Sequence, residues 1–280
     1  MTYSPLRYPG GKSSLSNYLR SLIELNVTDC TYFELYAGGA GAALNLLFNG
    51  PVQRIVLNDA DIHIFSFWDS ILHNTDAFVE LIQQVPVNLD TWHTQREIYD
   101  SDPQNYSSLE LGFSTFFLNR CNRSGIIKKA GPIGGLEQNG NYLLDCRFNK
   151  PDLIRRIRKI AREQNRIEIY QQDTLQFINN NRERLSEEHS FMYLDPPYYQ
   201  KGQSLYLNSY IHEDHIALRN ALSDLQNLKW LVSYDNVPQI IQIYEGFRST
   251  QHQLSYTLQE KRKTNEFFVF SDALVLPHEV

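Results

Sequence analysis

A chain of 280 residues can hold one large α/β domain with an inserted module, and its 42% hydrophobic and 21% charged residues are typical of a globular protein. Its apolar runs are too short for a membrane helix, and its polar first ten residues lack the apolar core of a signal peptide, so we expect a cytoplasmic protein without membrane contact. Three cysteines without C-x-x-C spacing predict neither a disulfide framework nor a metal site.

The net charge of −6 is unevenly distributed. Between Arg120 and Arg166 the chain carries twelve basic and four acidic residues, a local charge of +8, which leaves −14 for the rest. Such a division is typical of an acidic protein with one face for a polyanion. A solvated helix face explains 155–162, where apolar residues recur at helical spacing, but 120–129 lacks that pattern. For this second stretch we favour contact with nucleic acid.

The first motif in chain order is YPGGKSSL at residues 8–15. A phosphate-binding loop would need a glycine where Leu6 stands and a buried strand before it, and this sequence has neither. The simplest structural interpretation is a turn that begins a helix at Lys12.

Short apolar runs, each ending at a small or acidic residue, alternate with helical patterns along most of the chain. This alternation predicts βαβ units in a doubly wound, mainly parallel α/β sheet. The predicted strands end near Tyr36, Leu57, Tyr170, Leu194 and Tyr234. The predicted helices cover 12–25, 41–48, 174–185 and 211–225. The closing runs QHQLSYTLQ and NEFFVFSD have no helix between them and predict an antiparallel C-terminal hairpin at one side of the sheet.

The alternation is interrupted at 71–165, which predicts an inserted, mostly helical domain between two parts of the α/β domain, 1–70 and 166–280. Helices are expected at about 75–85, 89–99, 107–120 and 150–164. Between the last two, the glycine-rich stretch SGIIKKAGPIGGLEQNGNYLLD predicts a mobile loop or a hairpin with a tight turn at Asn139–Gly140. Because most of the positive charge lies here, the insertion is the predicted nucleic-acid-binding domain.

Ligands of doubly wound sheets bind beyond the carboxyl ends of the strands, where two of the predicted strands carry unusual residues. AGGAGAAL follows the first strand, and Gly38, Gly39 and Gly41 would let the backbone approach a ligand. A dinucleotide site or tight strand–helix packing would explain these glycines equally well. Asp59 follows the second strand, where it could accept both hydroxyls of a ribose or cap a helix.

The fourth predicted strand runs directly into Asp195-Pro196-Pro197-Tyr198. The prolines remove two backbone donors and fix φ, so the Asp195 carboxylate and the Pro196 carbonyl become rigid acceptors beside the flat face of Tyr198. Acceptors next to an aromatic platform suit the exocyclic amino group of a planar base. A plain Pro-Pro loop would explain the turn but not the acid and the aromatic residue at its two ends.

Together these motifs resemble the S-adenosylmethionine-dependent DNA adenine-N6 methyltransferases, in the subgroup with cofactor motifs first, then the target-recognition insertion, then D-P-P-Y. The matching segments, in the family's order over nearly the whole chain, are RYPGGKSSL, FELYAGGAGAALNLL, LNDAD, FFLNRCNRSGI, QQDTLQFI, YLDPPYY and NEFFVFS. The resemblance implies a Rossmann-like methyltransferase sheet. It also implies that 1–70 and 166–280 form the catalytic, cofactor-binding domain and 71–165 the target-recognition domain.

The resemblance further implies roles for individual residues and no metal site. The implied cofactor-binding residues are Tyr8, Lys12, Tyr36, Gly38, Gly39, Gly41, Asp59, Asp173 and Asp195. Among them, Lys12 would meet the methionine carboxylate, Asp59 the ribose and Asp173 the adenine edge. The implied catalytic residues are Asp195, Pro196, Pro197 and Tyr198. The implied DNA-binding residues are Asn119, Arg120, Arg123, Ser124, Lys128 and Lys129.

The implied reaction is methyl transfer to adenine N6 in double-stranded DNA, after the base has been flipped out of the duplex. Asp195 and Pro196 would accept the two N6 hydrogens, and Tyr198 would stack on the base through its ring, with no role for its hydroxyl. The recognition turn departs from the family's pattern, since Ser124 stands for an asparagine and Lys128 for an arginine. Because lysine and arginine read bases differently, a GATC target does not follow.

Other functions remain open from the sequence. One is an amino methyltransferase acting on RNA, single-stranded DNA or cytosine N4; another is a catalytically silent regulator that binds cofactor and DNA. The intact Lys12, Asp59 and Asp195 disfavour the regulator, and a Rossmann dehydrogenase would leave D-P-P-Y unexplained. Restriction–modification, phage defence and a solitary regulatory role fit equally well. We expect a monomer, with a cognate restriction nuclease as a conceivable partner.

Overall fold

The computed structural model describes residues 3–7, 15–199, 210–257 and 261–277, and for 253–257 and 261–264 it describes the backbone alone. Tyr8 and Lys12 of the implied cofactor set lie outside the described residues. The start of the first predicted helix at Lys12 lies outside them as well.

A single mixed sheet organises the described residues. Its strands are β1 (Cys30–Glu34), β2 (Val52–Asn58), β3 (Ile167–Tyr170), β4 (Ser190–Leu194), β5 (Trp230–Asp235), β6 (Arg248–Thr257) and β7 (Lys261–Phe270). They pair in the order β3-β2-β1-β4-β5-β7-β6, with β1 to β5 parallel and β7 antiparallel to both β5 and β6. The prediction of a doubly wound, mainly parallel sheet with an antiparallel C-terminal hairpin is confirmed.

Helices lie on both faces of this sheet. The α-helices of the described residues are α1 (Ser16–Asn26), α2 (Gly41–Asn49), α3 (Ile62–His73), α4 (Thr75–Gln84), α5 (Leu89–Asp100), α6 (Ser108–Cys121), α7 (Lys150–Ala161), α8 (Thr174–Asn180), α9 (Arg182–Leu185), α10 (His212–Ser223) and α11 (Pro238–Ile243). Because successive strand residues point to opposite faces, Tyr32 and Tyr193 enter a core shared with α1 to α7. Phe33 and Leu194 enter a second core with α8 to α11.

The helices of the inserted segment share a core with the α/β domain. α6 and α7 both pack on α3, and all three helices contribute side chains to the same hydrophobic cluster. The predicted boundary at residue 71 falls inside α3. Whether 71–165 acts as a separate functional unit stays a prediction.

Three helices differ from the sequence prediction: α3, the helix predicted over 174–185, and α11, for which no helix was predicted. No helix is predicted over 62–73, although α3 lies there with eight of its twelve residues buried. The helix predicted over 174–185 is two helices, α8 and α9. Between them Asn181 has φ −116° and ψ 18°, outside the helical region, and its side-chain amide donates to the Phe177 carbonyl.

The glycine-rich stretch forms turns, and the tight turn predicted at Asn139–Gly140 is wrong. The left-handed residues around the predicted turn are Gly134, Gly135 and Gln138, and the only bridge within 122–143 is an isolated one between Asn122 and Pro132. The chain folds around the Gln138 side chain, whose amide donates to the Ile133 and Gly135 carbonyls and accepts from the Leu144 N–H. Within the described part of the chain, no helix is long and apolar enough to span a bilayer.

Candidate active site at the carboxyl edge of the sheet

Asp59 fastens the glycine-rich turn after β1 to the end of β2. Its Oδ2 accepts a hydrogen bond from the Gly38 N–H at 2.8 Å, and its Oδ1 accepts from the Asp61 N–H at 3.0 Å. On the other side of the turn, the Trp68 indole donates to the Gly38 carbonyl at 2.9 Å. Gly38 has φ 45°, a left-handed conformation that glycine adopts without strain. The turn therefore has a fixed backbone between a carboxylate and an indole.

Glu34 of β1 caps the helix that follows this turn. α2 begins at Gly41, and its N-cap residue Ala40 is left-handed and gives no side-chain hydrogen bond. Instead, Oε2 of the buried Glu34 accepts from the Ala43 N–H at 3.0 Å, which satisfies one of the unpaired donors of the helix. Burial raises the pKa of Glu34 to about 8, although the Ala43 N–H opposes the shift. Glu34 is a site residue that the motifs did not predict, and its signal in the sequence is an acid inside the apolar run YFELY.

The Asp59 carboxyl has a strongly perturbed protonation equilibrium. Burial raises its pKa to about 7, the nearby Asp61 carboxylate adds to the rise, and the two backbone N–H donors oppose it. Asp59 as a whole residue is nonetheless partly exposed, so a ligand can reach its carboxyl group. Lys128, from the basic stretch of the insertion, is one of the charges acting on Asp61. The basic stretch and the end of β2 therefore lie at the same edge of the molecule.

The remaining described residues of the implied cofactor set lie around this edge. Gly39 is in the turn and Gly41 is the first residue of α2. The Tyr36 hydroxyl forms a 2.7 Å hydrogen bond with the Tyr210 hydroxyl. Asp173 is exposed and caps α8, and its carboxylate is one of the charges acting on Tyr210.

The Asp195 carboxylate follows β4, which is the neighbour of β1 in the sheet. Its Oδ1 accepts from the Ser233 hydroxyl at 3.0 Å, and that hydroxyl is 2.8 Å from the Tyr193 hydroxyl. Asp195 is half-buried, and its charge is among those that raise the pKa of Glu34. The structure thus brings the aspartate of D-P-P-Y next to the strand that carries the glycine-rich turn.

The Tyr198 side chain is held at its hydroxyl. This hydroxyl donates to Oε1 of the buried Glu266 at 2.6 Å. No role for this hydroxyl is predicted from the sequence, because stacking on a base needs the ring alone. Neither Glu266 nor the Ser233 contact was anticipated, since both are side-chain contacts between distant parts of the chain.

The residues implied in DNA binding divide into two groups. Arg123, Ser124, Lys128 and Lys129 are exposed. Asn119 is fully buried. Its side-chain amide accepts a hydrogen bond from the Arg7 N–H and donates to the Arg7 and Gly125 carbonyls.

Arg120 also has a structural role. Its guanidinium donates to the carbonyls of Arg147 and Pro5, and burial lowers its pKa to about 10. Since their polar groups are occupied inside the protein, we remove Asn119 and Arg120 from the proposed DNA-contacting set.

Much of the positive charge on α7 also serves packing. Lys150 donates to the Gln83 and Val85 carbonyls at the end of α4, and Arg156 donates to the Ser4 carbonyl. The Lys159 ammonium lies 4.3 Å from the ring centroids of Tyr3 and Phe48. Among the described basic residues, Arg123, Lys128 and Lys129 are exposed, and Lys128 acts on Asp61 near the candidate site.

Several known proteins are similar to this chain. Residues 8–261 match the family described as D12 class N6 adenine-specific DNA methyltransferase. Over 206 residues, 70% of the chain, the sequence is 23% identical to the modification methylase StsI of Streptococcus sanguinis, and the chain spans 28% of that relative's length. The rRNA methyltransferase aviRa of Streptomyces viridochromogenes is similar over 95% of this chain and 87% of its own, with 10% identity and a TM-score of 0.42. The family match covers most of the chain and confirms the resemblance seen in the sequence: the chain belongs to the D12 class N6 adenine-specific DNA methyltransferase family.

Proposed function

We propose that this chain transfers a methyl group from S-adenosylmethionine to N6 of adenine in double-stranded DNA, at the carboxyl edge of its sheet. The observation that supports this best is the fixed position of D-P-P-Y. The Asp195 carboxylate accepts a hydrogen bond from Ser233 and directly follows β4. Because β4 pairs with β1, this acceptor is beside the glycine-rich turn that follows β1. Family membership supports S-adenosylmethionine as the methyl donor.

The residues at the ends of β1 and β2 fit the adenosyl part of this cofactor. Each carboxylate oxygen of Asp59 takes one backbone N–H and has a further lone pair for a ribose hydroxyl. Tyr36 is hydrogen-bonded to Tyr210 and the Asp173 carboxylate acts on the same tyrosine, so we keep both in the proposed cofactor set. Tyr8 and Lys12 are kept from the sequence alone. When bound, the cofactor supplies an electrophilic methyl group on its sulfonium.

The chain's own residues act on the amino group of the base. The adenine N6 lone pair is delocalised into the ring, so the nitrogen is a poor nucleophile until its hydrogens are held. Asp195 and the Pro196 carbonyl are the proposed acceptors for these hydrogens, and Asp195 is the proposed acceptor of the proton that N6 loses. Acceptors that are already in place at a developing charge typically contribute ~10²-fold or more to a rate. Tyr198 is the proposed platform for the flipped base.

DNA contact is proposed for the exposed residues of the basic stretch: Arg123, Ser124, Lys128 and Lys129. The action of Lys128 on Asp61 supports this, because it relates the stretch to the edge of the sheet that carries the candidate site. The curated relative is a modification methylase, which supports a restriction–modification setting for this chain. Sequencing of host DNA with detection of modified bases would test that setting and give the methylated site.

Single-turnover transfer of labelled methyl groups to unmodified DNA, followed by nucleoside analysis, tests the proposed reaction. We expect N6-methyladenine from the wild-type protein and a rate at least ~10²-fold lower for Asp195→Ala, with DNA binding retained. Glu245→Ala, which removes an exposed carboxylate, is the control and should leave the rate unchanged.

Other outcomes of this assay contradict the proposal in different ways. N4-methylcytosine as the only product would keep the mechanism and change the substrate. Transfer to RNA or single-stranded DNA in preference to duplex DNA would favour the other amino methyltransferases. Binding of cofactor and DNA without any transfer would favour the silent regulator.

A further inference from the structure

The prolines of D-P-P-Y fix the backbone φ of the segment, but they do not hold the side chains of Asp195 and Tyr198. β4 ends at Leu194, and the next two residues after Asp195 are prolines, which have no N–H to donate to a neighbouring strand or turn. The orientation of Asp195 and Tyr198 must therefore depend on groups from other elements.

Two side chains of β5 contact the segment. The Ser233 hydroxyl donates to Asp195 Oδ1 at 3.0 Å, and Asp235 Oδ1 accepts from the Tyr199 N–H at 3.0 Å. Ser233 and Asp235 are two positions apart on one strand, so their side chains leave the same face of the sheet. β5 thus contacts the residue at the start of D-P-P-Y and the residue just after it.

β7 supplies the third contact, from the position directly opposite. Asp235 and Glu266 are register partners across the antiparallel β5–β7 pair, and partners of this kind point to the same face. Glu266 is only 2% exposed, and its Oε1 accepts from the Tyr198 hydroxyl at 2.6 Å. A hydrogen bond at the far end of a tyrosine ring fixes the position of the whole ring.

We propose that Ser233, Asp235 and Glu266, which we term the β5–β7 clamp, are positioning residues that set the Asp195 carboxylate and the Tyr198 ring for methyl transfer. This inference rests on the proposed function. The physical reason is that a reaction needing alignment of nitrogen, methyl and sulfur loses rate when its acceptor or platform is free to move. The clamp acts on D-P-P-Y residues rather than on the Gly38–Asp59 side of the site, so it should affect the transfer rate more than cofactor affinity.

A double-mutant cycle on the single-turnover rate can isolate the Tyr198–Glu266 hydrogen bond. Tyr198→Phe removes the donor and keeps the ring, whereas Glu266→Ala removes the acceptor. We expect each change to lower the single-turnover rate by about tenfold, the effect of one such hydrogen bond, with cofactor affinity within about twofold of wild type. The double variant should be no slower than the slower single variant, because both changes break the same bond.

Two further variants separate positioning from a general structural effect. Glu266→Gln keeps an acceptor oxygen and should recover most of the rate lost in Glu266→Ala. Tyr106→Phe is the matched control, on the segment between α5 and α6, and should transfer at the wild-type rate. A wild-type rate for Tyr198→Phe, or losses that multiply in the double variant, would overturn the proposal.

Thermal unfolding gives a readout that does not need activity. It is measured for the wild-type protein, Tyr198→Phe, Glu266→Ala and the double variant. If the bond exists in solution, the melting temperature of the double variant should lie close to that of the less stable single variant. Fully additive shifts would overturn the clamp even in an active enzyme. A third outcome would be non-additive shifts among the variants together with a wild-type protein that methylates no DNA. That outcome would demonstrate the Tyr198–Glu266 contact and contradict the proposed function alone.

Discussion

The Asp59 carboxyl group accepts a hydrogen bond that holds the glycine-rich turn, and it titrates near neutral pH. The donor is the Gly38 N–H, and burial together with the Asp61 carboxylate raises the pKa of Asp59 to about 7. Because this folded-state pKa is above the ordinary value of 3.8, folding favours the protonated form. The free energy of unfolding of the ligand-free protein should therefore fall as the pH rises from about 4 to 7. Glu34, with its pKa raised to about 8, extends this fall to higher pH.

Cofactor affinity should show the opposite trend with pH. The ionised Asp59 carboxylate accepts hydrogen bonds from ribose hydroxyls better than the protonated acid, so we expect S-adenosylmethionine to bind more tightly at pH 8 than at pH 6. Asp59→Asn should weaken binding by roughly tenfold or more and remove most of this pH dependence. Titration calorimetry at constant ionic strength measures both effects. An unchanged affinity in Asp59→Asn, or the same pH slope as wild type, would contradict the ribose assignment.

The turn after α6 is the element that joins the insertion to the N-terminal segment. Ser124 and Gly125 are both left-handed, with φ 56° and 74°. The Asn119 side chain accepts from the Arg7 N–H at 2.7 Å and donates to the Arg7 carbonyl at 3.0 Å and the Gly125 carbonyl at 2.9 Å. The residue before Tyr8 and the turn before Lys128 therefore belong to one hydrogen-bonded unit.

Gly125→Ala should disrupt this unit. A Cβ at Gly125 would stand 2.0 Å from the Arg7 carbonyl oxygen, and the left-handed backbone adds strain, so we expect the melting temperature to fall by several degrees. Gly131→Ala is a matched control in the same stretch, because a Cβ there meets nothing within 4 Å. Equal melting temperatures for the two variants would show that the close approach to Arg7 does not exist in solution.

For the whole molecule, the uneven charge predicts which residues make DNA binding depend on salt concentration. On the proposed function, the exposed basic stretch contacts phosphates, so Lys128→Ala should weaken DNA binding. If Lys128 contacts a phosphate, the slope of log affinity against log salt should decrease by about one unit. Arg158→Ala, on the exposed face of α7, should leave that slope unchanged. The reverse result, measured by fluorescence anisotropy over a salt series, would move the DNA contact from the basic stretch to α7.

The parallel part of the molecule could be predicted from the sequence, because each buried strand is an apolar run that ends at a small or acidic residue. The motifs after those runs also predicted that Gly38, Asp59 and Asp195 would meet at one edge. α3 was missed although α6, which is buried to a similar degree, was predicted, so burial alone does not explain the omission. The turn at Asn139–Gly140 was wrong because Gln138 fixes the loop through its own side chain. Local patterns carry no information on such contacts.

The direction of β7 has a consequence for how the chain is made. Because β7 runs antiparallel to β5, its early residues reach the carboxyl edge, and Glu266 meets Tyr198 from 68 residues further along the chain. During synthesis, β1, β2 and the turn fastened by Asp59 leave the ribosome well before Glu266 does. On the proposed function, the residues proposed to hold the ribose are therefore made first, and the contact that holds the aromatic platform is completed last.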